Sequence, residues 1–261
     1  MSTSLPKPEI LLIAGSWHTP AQYTKFRTIL ESKGLTVHIP RLPTISSVQP
    51  PTADLTTDTE FIRKYVTELA DAGRYVIILM HSTGGQSGTN ALKDLGTESR
   101  VQKGLPGGVT RLVYISALAC VEGETGIDRI KKFGHVDFMP IAFDIAEDYT
   151  FISRDPKTLV VGPGLSDEEL DAYVKGLERS NGKVMYQPLE YCAWRDIPVS
   201  YVYLTADMTV PFVYQKDMVF FLEEQGRSVQ TFELETGHCP NITMPEELGE
   251  IIERIVDSDT A

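Results

Sequence analysis

Tyr75-Val-Ile-Ile-Leu-Met-His-Ser82-Thr-Gly-Gly85, continuing through Gln86 to Leu95, is the stretch on which the fold turns. A short, partly β-branched run leads into one serine, two glycines and then a helical pattern. A strand, a tight turn around a serine and a helix together form a nucleophile elbow. The glycines have a steric reason, because the turn holds Ser82 in a strained backbone conformation where neighbouring side chains would collide. Gly84 and Gly85 supply the room. Met80 departs from the G-x-S-x-G pattern, in which the position two before the serine is small. The competing reading of Ser82 is a plain helix cap, since serine is favoured at helix N-termini.

On either side of the elbow, short apolar runs alternate with helical patterns. The runs Glu9 to Gly15, Leu35 to Pro40, Arg74 to His81, Thr110 to Ala117, Pro198 to Thr205 and Ser228 to Glu233 are each short enough to be buried strands. Strands apolar on both faces belong to a parallel sheet. The expected helix after Thr57-x-x-Glu60 carries Phe61, Ile62, Tyr65, Val66 and Leu69 and stops at Gly73. Another follows Thr243-x-x-Glu246, with Leu248, Ile251, Ile252, Ile255 and Val256 on one face. The pattern predicts a doubly wound α/β domain of about six strands, its ligand site beyond the carboxyl ends of the strands.

The alternation lapses between residues 121 and 187, where no convincing sheet strand is legible. The expected division is therefore a core of residues 1–120 and 188–261 with 121–187 inserted as a cap. Ser166-x-x-Glu169 opens a helix there, carrying Leu170, Tyr173, Val174 and Leu177. Phe133, Phe138, Met139, Phe143, Tyr149 and Phe151 form an aromatic-rich segment, either a satellite core or the lining of a pocket.

A serine hydroxyl needs a neighbouring general base, and that base needs a carboxylate to fix its tautomer. Thr205-Ala-Asp207 through Pro211 follows the fifth expected strand, and Glu235-Thr-Gly-His238-Cys-Pro240 follows the sixth. Both stand at carboxyl ends, in the order serine, aspartate, histidine. Asp196 precedes its strand and belongs at the opposite end of the sheet; Asp144 lies in the insertion. His81 is expected to pack or hydrogen-bond behind the elbow, and His38 and His135 to be surface or satisfied histidines.

With these residues the chain resembles the α/β-hydrolases, in particular the compact branch of plant methyl-ester esterases and hydroxynitrile lyases. The matching pieces are Ile13-Ala-Gly-Ser-Trp-His18, His81-Ser82-Thr-Gly-Gly85, Thr205-Ala-Asp207 through Pro211, and Gly237-His238. The resemblance implies a Ser82, His238, Asp207 triad, and an oxyanion hole from the backbone N–H groups of Ser16 and Thr83. Where the family has His-Gly after the first strand, this chain has Ala14-Gly15. Trp17, His18 and, from the cap, Phe143 are the candidate substrate contacts.

Of the 261 residues, 42% are hydrophobic, and 24 basic against 36 acidic side chains leave a net charge of -12, which opposes binding to a phosphate backbone. Cys120, Cys192 and Cys239 are too scattered for a disulfide framework or a zinc site, so a reducing, cytoplasmic setting is expected. The N-terminal residues, with Pro6 and Pro8 ahead of a five-residue apolar run, read as neither secretory signal nor membrane span. Asn241-Ile242-Thr243 reads as a chance glycosylation sequon.

Together these readings point to a serine hydrolase for a carboxylic ester or lactone of a small, fairly apolar molecule. It would need no metal or organic cofactor, and a homodimer is left open. Hydroxynitrile-lyase chemistry is the second reading, although that resemblance implies a lysine after the catalytic histidine, where Cys239 stands. The third is a slow-turnover ligand receptor on the same scaffold, since fold and triad alone do not determine function.

Overall fold

The computed structural model describes residues 6–46 and 48–260; the N-terminal reading for residues 1–5 lies outside them. In chain order the elements are β1 (Glu9–Ile13), α1 (Thr24–Ser32), β2 (Val37–His38), α2 (Leu55–Asp71), β3 (Tyr75–His81), α3 (Gly84–Ala91), α4 (Thr97–Gln102) and β4 (Gly108–Ile115). Next come α5 (Gly126–Lys132), α6 (Met139–Ala142), β5 (Phe143–Ile145), β6 (Thr150–Ser153), α7 (Asp167–Lys175) and β7 (Ser180–Asn181). The chain finishes with β8 (Val199–Leu204), α8 (Phe212–Glu224), β9 (Val229–Leu234), α9 (Pro240–Thr243) and α10 (Pro245–Thr260).

Six strands form one sheet in the order β2-β1-β3-β4-β8-β9, and every pairing in it is parallel. Successive side chains in a strand point to opposite faces, and here both faces are apolar. Leu11, Ile13, Ile78, Met80, Leu112 and Tyr114 join one core cluster, while Ile10, Leu12, Ile77, Leu79, Val113 and Ile115 join the other. The second core is closed by Leu248, Ile251, Ile252, Ile255 and Val256 of α10, and the first by Ile62 and Val66 of α2. This is the α/β-hydrolase fold. The strand order reverses between β1 and β3, so the loops after those two strands diverge from a crevice at the carboxyl edge, the usual position of a ligand site in open α/β sheets.

Two expected helix starts are corrected. α2 begins at Leu55, not after Thr57: Asp54 accepts the Thr57 N–H at 3.1 Å, and the Thr57 hydroxyl returns to the Asp54 N–H. A carboxylate three residues upstream takes the cap because it can also interact favourably with the helix dipole. Thr243 does not open α10; it ends α9, and its hydroxyl bonds to the Cys239 carbonyl and meets Thr236. The box at Ser166 and Glu169 forms as expected.

The stretch 121–187 does contain strands. β5, β6 and β7 make a separate three-stranded antiparallel sheet. Its strands are four residues or shorter and include Asp144 and Asn181, so they leave no alternating apolar signature. Phe151, Tyr173 and Leu177 pack there with Trp17 and Cys239. Asn241, in the sequon, is buried, and its amide donates to the Gln22 carbonyl and to Tyr173.

Candidate active site

Ser82 follows β3 directly and has φ 54°, in the left-handed region that non-glycine residues seldom occupy. Such a conformation costs about 1–3 kcal/mol and persists only where the surroundings impose it. Here the end of β4 and the segment after it fix both sides of the turn: the Ser82 N–H donates to the Ile115 carbonyl, and its own carbonyl accepts from the Leu118 N–H. The N-cap of α3 is Thr83, so Ser82 stands ahead of the helix and does not cap it. A Cβ on Gly84 would lie 2.5 Å from the Ile13 carbonyl oxygen, which is why the elbow can lie against the end of β1. The missing small residue at position 80 is compensated within α3, because a Cβ on Gly88 would lie 2.6 Å from the Met80 sulfur.

The loop after β8 holds Asp207. Its Oδ1 accepts the N–H groups of Thr209 and Val210 at 2.7 and 2.9 Å; its Oδ2 accepts the Ser116 hydroxyl and His238 Nδ1, each at 2.6 Å. An ionised carboxylate only accepts, so Nδ1 carries the proton. The other ring nitrogen, Nε2, is the one that holds the lone pair in the neutral ring, and it is buried with no hydrogen-bond partner among the described residues. Asp144 instead pairs with Arg154 and Arg179, and Asp196 with Tyr191. Ser116 gives no signal in the sequence; it acts through position alone, at φ 40° just past β4.

His81 locks the back of this arrangement. Its ring lies 4.6 Å from that of His238, centroid to centroid, and its Nε2 donates to the His238 carbonyl at 2.7 Å. Burial holds the His81 imidazole well below its usual pKa, so the ring is neutral and its Nδ1 accepts from the Tyr23 hydroxyl. The same hydroxyl oxygen accepts the Gly15 N–H at 3.4 Å. A single chain of bonds thus runs from the loop after β1 to the backbone of His238.

Ser16, Trp17, Ser82, Thr83 and Phe143 line one largely apolar cavity, with Phe151, Met139, Met185, Leu118 and Val210 completing much of its wall. Trp17 packs against Phe143 and Phe151 at 5.7 and 5.2 Å between ring centroids. The aromatic segment is therefore both a small core and a pocket wall. Phe138 stays exposed, in a basin that shares Phe143, Met139 and Tyr214 with the inner cavity.

His18 is not on the cavity wall. Its Nδ1 bonds to the Ser16 carbonyl, its Nε2 faces Cys239 Sγ at 3.4 Å, and burial lowers its pKa to about 4. The chain passes through a left-handed conformation at Trp17, φ 70°, and here the Trp17 side chain lines the cavity while His18 is packed beneath the loop. The Thr83 hydroxyl was not read from the sequence as a participant. It accepts the Ser16 N–H at 2.8 Å and meets the Ser16 hydroxyl at 2.9 Å. Among the described residues no group of three His, Cys, Asp or Glu side chains could hold a metal ion, and no helix is long and apolar enough to cross a membrane.

Residues 10–251 match the sequence profile of a family described as the alpha/beta hydrolase family. The chain is 32% identical to "Probable hydrolase R7" of Phoma sp., over 95% of its own length and 98% of that protein's. Among solved structures it is similar to a pyrethroid hydrolase from Sphingobium faniae, with a TM-score of 0.73, 20% identity, and 96% and 97% of the two chains covered. It is also similar to the methylesterase MES16 from Arabidopsis, with a TM-score of 0.73, 16% identity, and 96% and 99% covered. With the elbow, the six-stranded parallel sheet and the sequence match running over nearly its whole length, the chain belongs to the α/β-hydrolase family, with hydrolases and esterases as its neighbours.

Proposed function

We propose that the protein is a serine hydrolase that cleaves a carboxylic ester or lactone of a small, fairly apolar molecule, with residues 121–187 acting as the cap over its pocket. The observation that carries this reading is the polarised His238, with Nδ1 against Asp207 and a bare Nε2, at the same edge of the sheet as a strained serine. Ser82 attacks the carbonyl carbon and passes its proton to His238 Nε2. Asp207, already oriented by three protein donors, stabilises the imidazolium that forms. His238 then protonates the leaving alkoxide, and water, deprotonated by the same imidazole, releases the acid from Ser82.

The N–H groups of Ser16 and Thr83 receive the negative oxygen of the tetrahedral intermediate, a type of contact whose loss costs roughly 3 to 4 kcal/mol in the transition state. For Ser16 this means releasing the Thr83 hydroxyl, and the exchange is favourable because a charged oxygen is a stronger acceptor than a neutral hydroxyl. The apolar lining supports an apolar acyl group, and the relatives named as hydrolase and methylesterase support ester chemistry.

Steady-state hydrolysis of 4-nitrophenyl esters and lactones of graded size, comparing the parent with Ser82→Ala, tests the reading. Many turnovers that fall by at least about 10³-fold in the variant are expected. A single equivalent of product per protein would replace hydrolase with slow-turnover receptor, and turnover indifferent to Ser82→Ala would remove the serine mechanism.

A further inference from the structure

The polar groups on the cavity wall are nearly all committed. The Trp17 indole N–H donates to the Phe151 carbonyl, the Thr209 hydroxyl to the Leu159 carbonyl, and the Tyr214 hydroxyl pairs with His135. The hydroxyls of Ser16 and Thr83 meet each other. Apart from Ser82, the proposed nucleophile, Arg129 is the exception. It lines the same cavity, is 4% exposed, and lies on α5 with its terminal nitrogens turned to Glu124 and Asp217. Its Nε–H is buried without an acceptor among the described residues.

A buried charged donor left unpaired is costly, and the cost disappears when a ligand supplies the acceptor. The charge around Arg129 selects the kind of acceptor. Glu124 and Asp217 balance Arg129 and Lys132, two carboxylates against two cations. A carboxylate ligand would add an uncompensated negative charge to a balanced cluster in an apolar cavity. A neutral oxygen adds none.

We propose that Arg129 Nε–H is a specificity contact for a neutral hydrogen-bond acceptor, a ketone or amide carbonyl or an ether oxygen, carried on the substrate away from the bond that is cleaved. The substrate class implied is an oxygenated ester or lactone, apolar along most of its length, with one acceptor oxygen set apart from the scissile carbonyl. This rests on the hydrolase reading for the position of the scissile bond, although the binding site itself does not require turnover.

The experiment measures binding, by calorimetry, of N-alkyl amides that are isosteric with the esters. One series carries an oxo group at successive acyl positions, and each member has a methylene counterpart. At one oxo position the parent should bind the oxo compound roughly tenfold tighter than its counterpart. In Arg129→Lys, which keeps a cation but loses the Nε–H, that ratio should fall to near one while affinity for the methylene compound changes less than about threefold.

A ratio near one at every oxo position in the parent overturns the proposal, as does a preference that survives in Arg129→Lys. Where the variant does not fold, the Arg129 Nε–H resonance of the parent decides: it should shift on binding the oxo compound and not on binding its counterpart, and an unmoved resonance overturns the proposal. Failure of the hydrolase reading shows elsewhere, as turnover of 4-nitrophenyl acetate unaffected by Ser82→Ala.

Discussion

Thr83 holds a group that the proposed chemistry needs elsewhere. Its hydroxyl takes the Ser16 N–H in the resting protein, and a neutral hydrogen bond contributes about 1 kcal/mol. Thr83→Val removes the hydroxyl at constant shape and leaves that N–H ready for the oxyanion. On a small activated ester kcat/KM is expected to rise about three- to tenfold; a fall of more than about tenfold would instead make the hydroxyl a third oxyanion donor. Residues at this scale were unevenly legible. Ser82, Asp207 and His238 stand out because each follows the carboxyl end of a strand and is of a type whose chemistry is specific. Thr83, Ser116, Tyr23 and Arg129 are ordinary residue types, and what each does comes from contacts 67, 91, 58 and 88 positions away. No local pattern encodes such contacts. His18 shows the converse, since proximity in sequence to the β1 turn placed it among the substrate contacts, while the left-handed residue before it accompanies a buried position under the loop.

At the scale of elements, the parallel strands and the longer helices could be read because burial on two faces and amphipathic stripes both leave periodic traces. β5 to β7 leave none, and their role rests on Phe143, which sits in β5 against Trp17 and Phe151. Phe143→Ala opens the wall of the cavity without touching the sheet edge that carries Ser82. It is expected to lower kcat/KM for long acyl esters about tenfold and for 4-nitrophenyl acetate less than about threefold. Equal losses on both would mean that Phe143 only packs. The elbow itself was recognisable in spite of Met80, whose bulk is accommodated one face away: the space that a glycine at position 80 would have provided comes from Gly88. A motif that compares positions in one turn misses a compensation made across the strand-helix contact.

Across the whole molecule, buried ionisable groups set opposing responses to acid. Asp58 is almost fully buried, bonded by the Thr44 N–H and hydroxyl at 3.0 and 2.6 Å, and burial raises its pKa from 3.8 to about 6. The native state therefore holds a proton here that the unfolded chain has lost, so the stability this group contributes is fully present below about pH 3.8 and is lost as pH rises through 6. His18 and His81 act in the other direction, since their depressed pKa values make the native state refuse protons that the unfolded chain takes up below pH 6.5. Comparing the parent with Asp58→Asn cancels the histidines. Between pH 7 and pH 4 the parent should gain about 2 to 3 kcal/mol on the variant in urea unfolding, and parallel pH profiles would show that Asp58 does not titrate in this range. The helical turn at Pro156–Val161 also ties distant parts together, because its Leu159 carbonyl takes the Thr209 hydroxyl beside Asp207, and its Val161 carbonyl leaves no room for a Cβ at Gly237 beside His238. Chimeras between relatives thus meet a seam at that turn. Exchanging residues 121–153 swaps the Arg129, Met139, Phe143 and Phe151 side of the pocket wall and leaves both loops seated, whereas exchanging the turn as well takes away their common buttress, so recognition can diversify upstream of the seam while the edge proposed to be reactive is inherited intact.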